Sequence, residues 1–187
     1  MKVDMKLSPY RPVKVQFLSE ADRGVRVGAC RCILQKYDNE LRRDKLLFSD
    51  ECSVHAEGHS RSKQIFFWSK QNPFFSDQIR QHPLQVMIFA AMSSKHLIGP
   101  FFLEGGVTAE AYINKLRNEL LPALERRGIS GSAHFQQDGA PAHTVLITRD
   151  FLHQHPPDRW VGKYGPTNWP PRSPDLSSCD NALWAVA

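Results

Sequence analysis

The sequence predicts an α/β domain, a mixed sheet with helices on its faces. Three observations predict it. Strand-like runs come first, at 45–50, 64–69, 84–92 and 97–103, after which the apolar spacing turns to helix, strand, helix, strand, helix. The run Leu84–Met92 is apolar almost throughout, as a strand inside a sheet would be. Two strand-like runs end on an aspartate: Leu46-Leu47-Phe48-Ser49-Asp50-Glu51, and Ala133 to Asp138, which Gly139-Ala140-Pro141-Ala142 breaks at once. If those strands are parallel neighbours, Asp50 and Asp138 emerge at one sheet edge, where open α/β sheets place ligands.

Each element has its own signal. Residues 1–18 read as an extended basic segment with Pro9 and Pro12. Ser19 caps a helix with acids in its first turn. Ala21, Val25, Ala29, Ile33 and Tyr37 follow at helical spacing, and Asp38-Asn39 stops the helix, which is expected to pack on the sheet. Lys45–Asp50 is the first strand, Gly58-His59-Ser60 a turn, and Gln64–Ser69 a second strand ending near Trp68. Leu97–Leu103 is a short strand interrupted by Gly99-Pro100. Thr108 caps a helix with Tyr112, Leu116, Leu120 and Leu124 on one face; Pro122 kinks or splits it and Gly128 ends it. After the Asp138 strand come a helix from about Thr144 to His153 and a short strand, Arg159–Val161. Residues 163–177 form a loop with four prolines, and a final helix begins near Ser178 and is still running at Ala187.

The chain has 187 residues, 41% hydrophobic and 23% charged, enough for one globular domain with a core. No run is long and apolar enough to span a membrane, and no secretory signal opens the sequence, so no membrane partner is expected. Cys30, Cys32, Cys52 and Cys179 lack the spacing of a zinc knuckle and read as reduced thiols. The pairs His55/His59 and His153/His155 are rejected as metal ligands. The net charge is +5, and the excess sits in residues 1–48, with 11 basic and 6 acidic residues against 13 and 13 in the remainder. A basic arm before a neutral core suggests phosphate contact.

Two strand-end aspartates and a third delivered by the Pro-rich loop point to metal chemistry. Clustered carboxylates repel one another unless a cation neutralises them. Oxygen-only ligands favour Mg²⁺ or Mn²⁺ over zinc. Two such ions, about 3.5–4 Å apart, suit phosphodiester cleavage and transfer. In this arrangement Asp50 and Asp138 fix the ions. Asp180, in the first turn of a helix that Ser178 caps, closes the coordination shell of the second ion.

Three blocks in order carry a resemblance: Phe48-Ser49-Asp50-Glu51, the run from Gln136 to His143, and the run Trp169–Trp184. They resemble the catalytic blocks of mariner-type cut-and-paste transposases. Phe67-Trp68-Ser69, Ile98–Phe102 and Arg159–Gly162 fit as well, so the match runs from about Pro9 to Trp184. The resemblance implies an RNase H-like fold, a five-stranded mixed sheet flanked by helices. It implies a catalytic and metal-binding triad of Asp50, Asp138 and Asp180 acting with two Mg²⁺ or Mn²⁺ ions. The third acid is Asp, as in the mariner branch, and 41 residues lie between Asp138 and Asp180. Asp175 falls outside the triad and is expected to hold the loop. His143 and Arg172 are supporting or DNA-contacting positions.

The implied function is DNA endonuclease and strand-transfer activity on transposon ends and target DNA, in the nucleus, with a homodimer as the candidate assembly. Residues 1–44 correspond to a basic linker and helix, and 45–187 to the catalytic domain. The family's N-terminal helix-turn-helix domain is expected to be absent and its C-terminal helix shortened, so Asp180 is expected to be the least firmly held acid. The alternative is a silent transposon-derived protein that binds nucleic acid or a partner. A ribonuclease of the same fold finds no support in the three blocks.

Overall fold

Ser19 opens the first helix through a reciprocal cap. Its Oγ accepts from the Asp22 amide at 3.2 Å, while Asp22 Oδ2 accepts from the Ser19 amide at 3.0 Å. The helix, α1, spans Glu20–Lys36 and ends where the Tyr37 amide donates back to Ile33 O. The computed structural model describes residues 17–39, 43–55 and 85–184. The expected 64–69 strand, the turn at 58–60, most of the extended segment 1–18 and the run from Ala185 to Ala187 lie outside the described residues.

The sheet has strands β1 (Leu46–His55), β2 (Gln85–Met92), β3 (Leu97–Leu103), β4 (His134–Gln136), β5 (Trp160–Gly162) and β6 (Thr167–Asn168). Their order is β3-β2-β1-β4-β5-β6. The β3-β2-β1 half is antiparallel, and β1, β4, β5 and β6 run parallel to one another. Six described strands replace the five expected. The extra strand, β6, lies inside the stretch 163–177 that reads as loop. Two residues with Pro166 just before them are too few to show a period of two.

A second correction concerns Asp50. It does not end its strand, because β1 runs on to His55 against β2. What ends near Asp50 is the pairing with β4, which covers only Leu46–Phe48. Asp50 therefore sits just past the parallel segment, and Asp138 two residues past β4. The two acids do share one edge of the β1–β4 pair, for a different reason from the one expected.

Strand alternation sorts the core into two layers. Leu47, Phe89, Ala91 and Phe135 face a layer made by helix α2 (Ala109–Lys115), a π-helical turn (Leu116–Leu120) and helix α3 (Leu121–Arg126). Tyr112, Leu116, Leu120 and Leu124 are all buried there, as their spacing predicts. Thr108 Oγ1 caps α2 through the Ala111 amide at 3.2 Å. Pro122 has no amide hydrogen to continue the ladder, and the turn before it widens to π geometry instead of breaking. Gly128, at φ 67°, closes α3 with two bonds: its amide to Glu125 O, and the Ile129 amide to Leu124 O.

Leu46, Val161 and Trp169 face the other way, with Phe48 and Leu176 beside them. Here the C-terminal half of α1 docks through Ala29, Ile33 and Tyr37, and the Tyr37 hydroxyl bonds His134 Nδ1 at 2.9 Å. Ala21 and Val25, the first two members of the predicted stripe, are exposed. Helices α4 (Pro141–Thr144) and α5 (Leu146–Gln154) lie between β4 and β5. Among the described residues no helix is long and apolar enough to cross a membrane.

The bend after β5 is set by Trp160, which is 1% exposed. A Cβ at Gly162 would stand 2.9 Å from the Trp160 ring and 3.4 Å from Gln137 Cγ, neither free to move away. Gly162→Ala is expected to cost about 1–3 kcal/mol of stability, read as a lower urea midpoint at unchanged slope. An unchanged midpoint would mean that this packing is looser than described.

Candidate active site

Asp50 lies on the face of β1 that also carries Leu46 and Phe48, because side chains two apart share a face. Its Oδ2 accepts from Trp184 Nε1 at 2.8 Å. Burial, and next the charge of Asp180, push the Asp50 carboxyl up to about 7, against the hydrogen bond from Trp184. No described lysine or arginine pairs with Asp50 or Asp180.

Asp138 is handled differently. It follows β4 as the chain turns into α4. Its Oδ1 accepts from the Ala140 amide at 2.9 Å and from His143 Nδ1 at 2.6 Å. The other ring nitrogen, Nε2, faces Glu51 Oε1 at 3.2 Å. Burial opposes charge on His143, yet the hydrogen bonds to Asp138 and Glu51 win and raise it to about 9. Both nitrogens therefore donate, and an imidazolium bridges two carboxylates. Asp138 is held below its ordinary value: its partial burial acts upward, but His143 outweighs it.

His143 is in turn locked in place. Its ring centroid lies 4.2 Å from that of Tyr112, and its carbonyl accepts from Gln137 Nε2 at 2.9 Å. The Tyr112 hydroxyl donates to Gln137 Oε1 at 2.8 Å. The buried Gln137 thus ties the aspartate turn to the helix beneath the sheet.

Asp180 arrives on a π-helical turn, Cys179–Leu183. Ser178 makes no capping bond; the Asp180 amide is taken by Ser177 Oγ at 3.3 Å. Asp180 is raised by its partial burial and by the charge of Asp138, against the bond to Ser177. The turn itself is anchored on β1, although Asp180 remains exposed and, among the described residues, closes no cation cage with the other acids. Cys179 is 0% exposed with Sγ against Phe48 O, and Trp184 reaches Asp50.

The loop before it is fastened to α1. Arg26 donates to both carboxylate oxygens of Asp175, at 3.0 and 2.6 Å, and also to Ser173 Oγ and Arg172 O. Asp175 therefore holds the loop, as expected. Arg172 sits at φ 50°, with its carbonyl pinned by Arg26 and its guanidinium reaching Asp22 Oδ2 and Phe17 O, each at 3.2 Å.

These elements enclose an open cavity of about 690 Å³. Asp50, Asp138 and Asp180 all line it, with Arg172, Lys163 and Tyr164 around them. His143 does not line it; it acts from behind Asp138. Among the described residues, no three His, Cys, Asp or Glu side chains already form a cation cage. Trp184 and His143 hold Asp50 and Asp138 on separate hydrogen bonds. The donor set nevertheless fits hard divalent ions: all oxygen, mutually repelling, and balanced by no described lysine or arginine.

Three participants escape a reading of the sequence: Glu51, Arg26 and Trp184. Glu51 neighbours Asp50, so alternation sends it to the other face, and only the fold brings His143 to it. Arg26 and Trp184 are far in sequence from what they bind, and no local pattern marks them. His153 and His155 are surface residues packed on Trp160 and Phe151.

Two predictions follow from the charges. His143 has a folded pKa raised from 6.5 to about 9. Its stabilisation is therefore complete below about 6.5 and is lost as pH rises toward 9. Melting temperature in EDTA should fall across that window, and His143→Gln should flatten the fall. Equal slopes in the two proteins would contradict the bridge. Arg26→Ala should cost about 1 kcal/mol, the Asp175 end being solvent-screened. It should also quicken proteolysis within 170–176, whereas an uncut loop would mean that other contacts hold it.

No protein-family model matches the chain. Over 142 residues it is 28% identical to the Tc3 transposase of Caenorhabditis elegans, covering 76% of this chain and 40% of that protein. Among solved structures it superposes on the Mos1 transposase paired-end complex with left transposon end at a TM-score of 0.79 and 22% identity. That match covers 99% of this chain and 53% of the Mos1 chain. The Mos1 mariner paired-end complex with Mn gives 0.78 and 22%, covering 98% and 53%. The catalytic domain of Mos1 mariner transposase gives 0.65 and 22%, covering 93% and 73%. The chain thus spans about half the length of these relatives or less, apart from the isolated domain. In sequence it is similar to the Tc3 transposase, and in fold to the catalytic domain of Mos1 mariner transposase, with the RNase H-like sheet.

Proposed function

We propose that this chain is the catalytic core of a cut-and-paste transposase, a metal-dependent enzyme that cleaves DNA phosphodiesters and transfers the strand. The observation that carries this reading is the convergence of Asp50, Asp138 and Asp180 on one open cavity with no described lysine or arginine paired to any of them. Similarity to Tc3 and Mos1 transposases supports the same reading.

Asp50, Asp138 and Asp180 would hold two Mg²⁺ or Mn²⁺ ions. When bound, such ions activate a water or 3′-hydroxyl for attack and offset charge on the leaving oxygen. The chain's own residues do the rest. His143 keeps Asp138 ionised and oriented. Trp184 steadies Asp50. Arg26, through Asp175 and Ser173, sets the loop that delivers Asp180. Lys163 and Arg172 stand at the cavity wall, where a DNA phosphate approaching the acids would meet a positive charge. Contacts of this kind position phosphates and carry little base information. By the likeness to transposases, the DNA partner would be transposon-end and target duplex in the nucleus, with a homodimer to hold two ends together.

Mn²⁺-dependent nicking of supercoiled plasmid tests the proposal. Asp50→Asn and Asp138→Asn should each lower the rate by more than the roughly 10–100-fold that loss of a supporting residue costs. Duplex binding without metal should survive both changes and fall steeply with salt. Nicking that persists in either variant would remove the triad from the chemistry.

A further inference from the structure

We propose that Gln136 is a further oxygen donor to the cation site through its side-chain Oε1, directly or across one water; this rests on the metal-dependent reading above. Gln136 is 1% exposed, yet its Oε1 has no hydrogen-bond partner among the described residues. An orphaned buried acceptor is costly and rare unless something absent from the protein itself satisfies it. The surroundings say what that is.

Gln136 closes β4, with Phe48 of β1 on one side and Val161 of β5 on the other. Its side chain therefore stands on the face of Phe48, and of Asp50 two residues further along. Gln136 lines the cavity together with Asp50, Asp138 and Asp180. Its backbone cannot drift, because Ser49 Oγ donates to Gln136 O at 2.7 Å. Three of its cavity neighbours are carboxylates, which when ionised only accept. Between an amide oxygen and carboxylates, what fits is a cation or its water. A neutral oxygen adds a ligand without adding to the repulsion among the acids.

The neighbouring Gln137 shows the contrast. It is equally buried, but it faces away from the cavity and spends its amide on Tyr112 and His143. Only the glutamine on the cavity face is left unpaired at its oxygen.

The test measures Mn²⁺ binding to the full chain by titration with EPR detection, alongside melting without metal. Gln136→Leu should weaken Mn²⁺ binding roughly 10-fold or more, in the range expected for a residue supporting a metal. Its metal-free melting temperature should be unchanged or raised, because the orphaned acceptor is gone. Gln136→Glu keeps oxygen and loses the amide donor; it should bind Mn²⁺ at least as tightly as the parent and melt lower without it. Less than about a twofold change in Gln136→Leu, well below that 10-fold mark, overturns the proposal. So does weaker binding by Gln136→Glu, which would make the amide a donor to the acids. If Gln136→Leu does not fold, the Glu variant decides alone. Asp138→Asn separates the layers of argument. If it loses Mn²⁺ and Gln136→Leu does not, only the role of Gln136 falls. If the parent chain binds no Mn²⁺, or Asp138→Asn binds like the parent, the metal-dependent reading falls and this inference with it.

Discussion

Everything at the site depends on a parallel pairing only three residues long, Leu46 with His134, Leu47 with Phe135 and Phe48 with Gln136. Beyond it the two chains part. β1 continues along β2, while the β4 chain turns into α4. Adjacent strands stand about 4.8 Å apart, so the place where they separate brings Asp50 and Asp138 to one opening with room between them. A register slip of one residue would send Asp50 to the opposite face and Glu51 into the cavity. Leu47 and Phe135, both buried in the larger core layer, set the register against such a slip.

Acids gathered this way must settle their charge within the protein. They do so unequally. Asp138 is compensated by His143 and stays ionised. Asp50 and Asp180 have no described cationic partner, and both are pushed toward the protonated form. Among the described residues the one buried imidazolium stands beside Asp138, on a turn, while the strand acid Asp50 has no described cation beside it. Holding His143 there takes Glu51, Tyr112 and Gln137, so three elements converge behind a single carboxylate. The arrangement fits the general pattern in which the groups that orient a ligand are as numerous as the ligands.

Much of this was legible in the sequence where periodicity was long. The stripe Tyr112, Leu116, Leu120, Leu124 named its own buried face, and Ser19, Thr108 and Gly128 named helix ends through caps that act within a few residues. Asp138 stood out because Gly139-Ala140-Pro141 breaks the chain at once after it, and Asp180 because a Pro-rich loop delivers it, whereas Asp50 was read as a strand end that β1 in fact runs past. What stayed hidden was short or distant. β6 has two residues and no period. The true end of β1 depends on β2, which begins 30 residues after β1 ends. Val25 matched the helical stripe but faces the open cavity instead of the sheet core. Glu51 meets His143 only because α4 folds back over the edge, and Ser177 took the capping place that Ser178 offered equally well by type.

The fastening of α1 gives that helix two different ends. Near its C-terminus it is fixed to the sheet by Tyr37 on His134. About 16 Å away, at 1.5 Å per residue, Arg26 grips the loop and touches no strand. The helix is therefore a strut between the sheet and the loop that leads to Asp180, while the turn that carries Asp180 is fastened separately to β1 through Cys179 and Trp184.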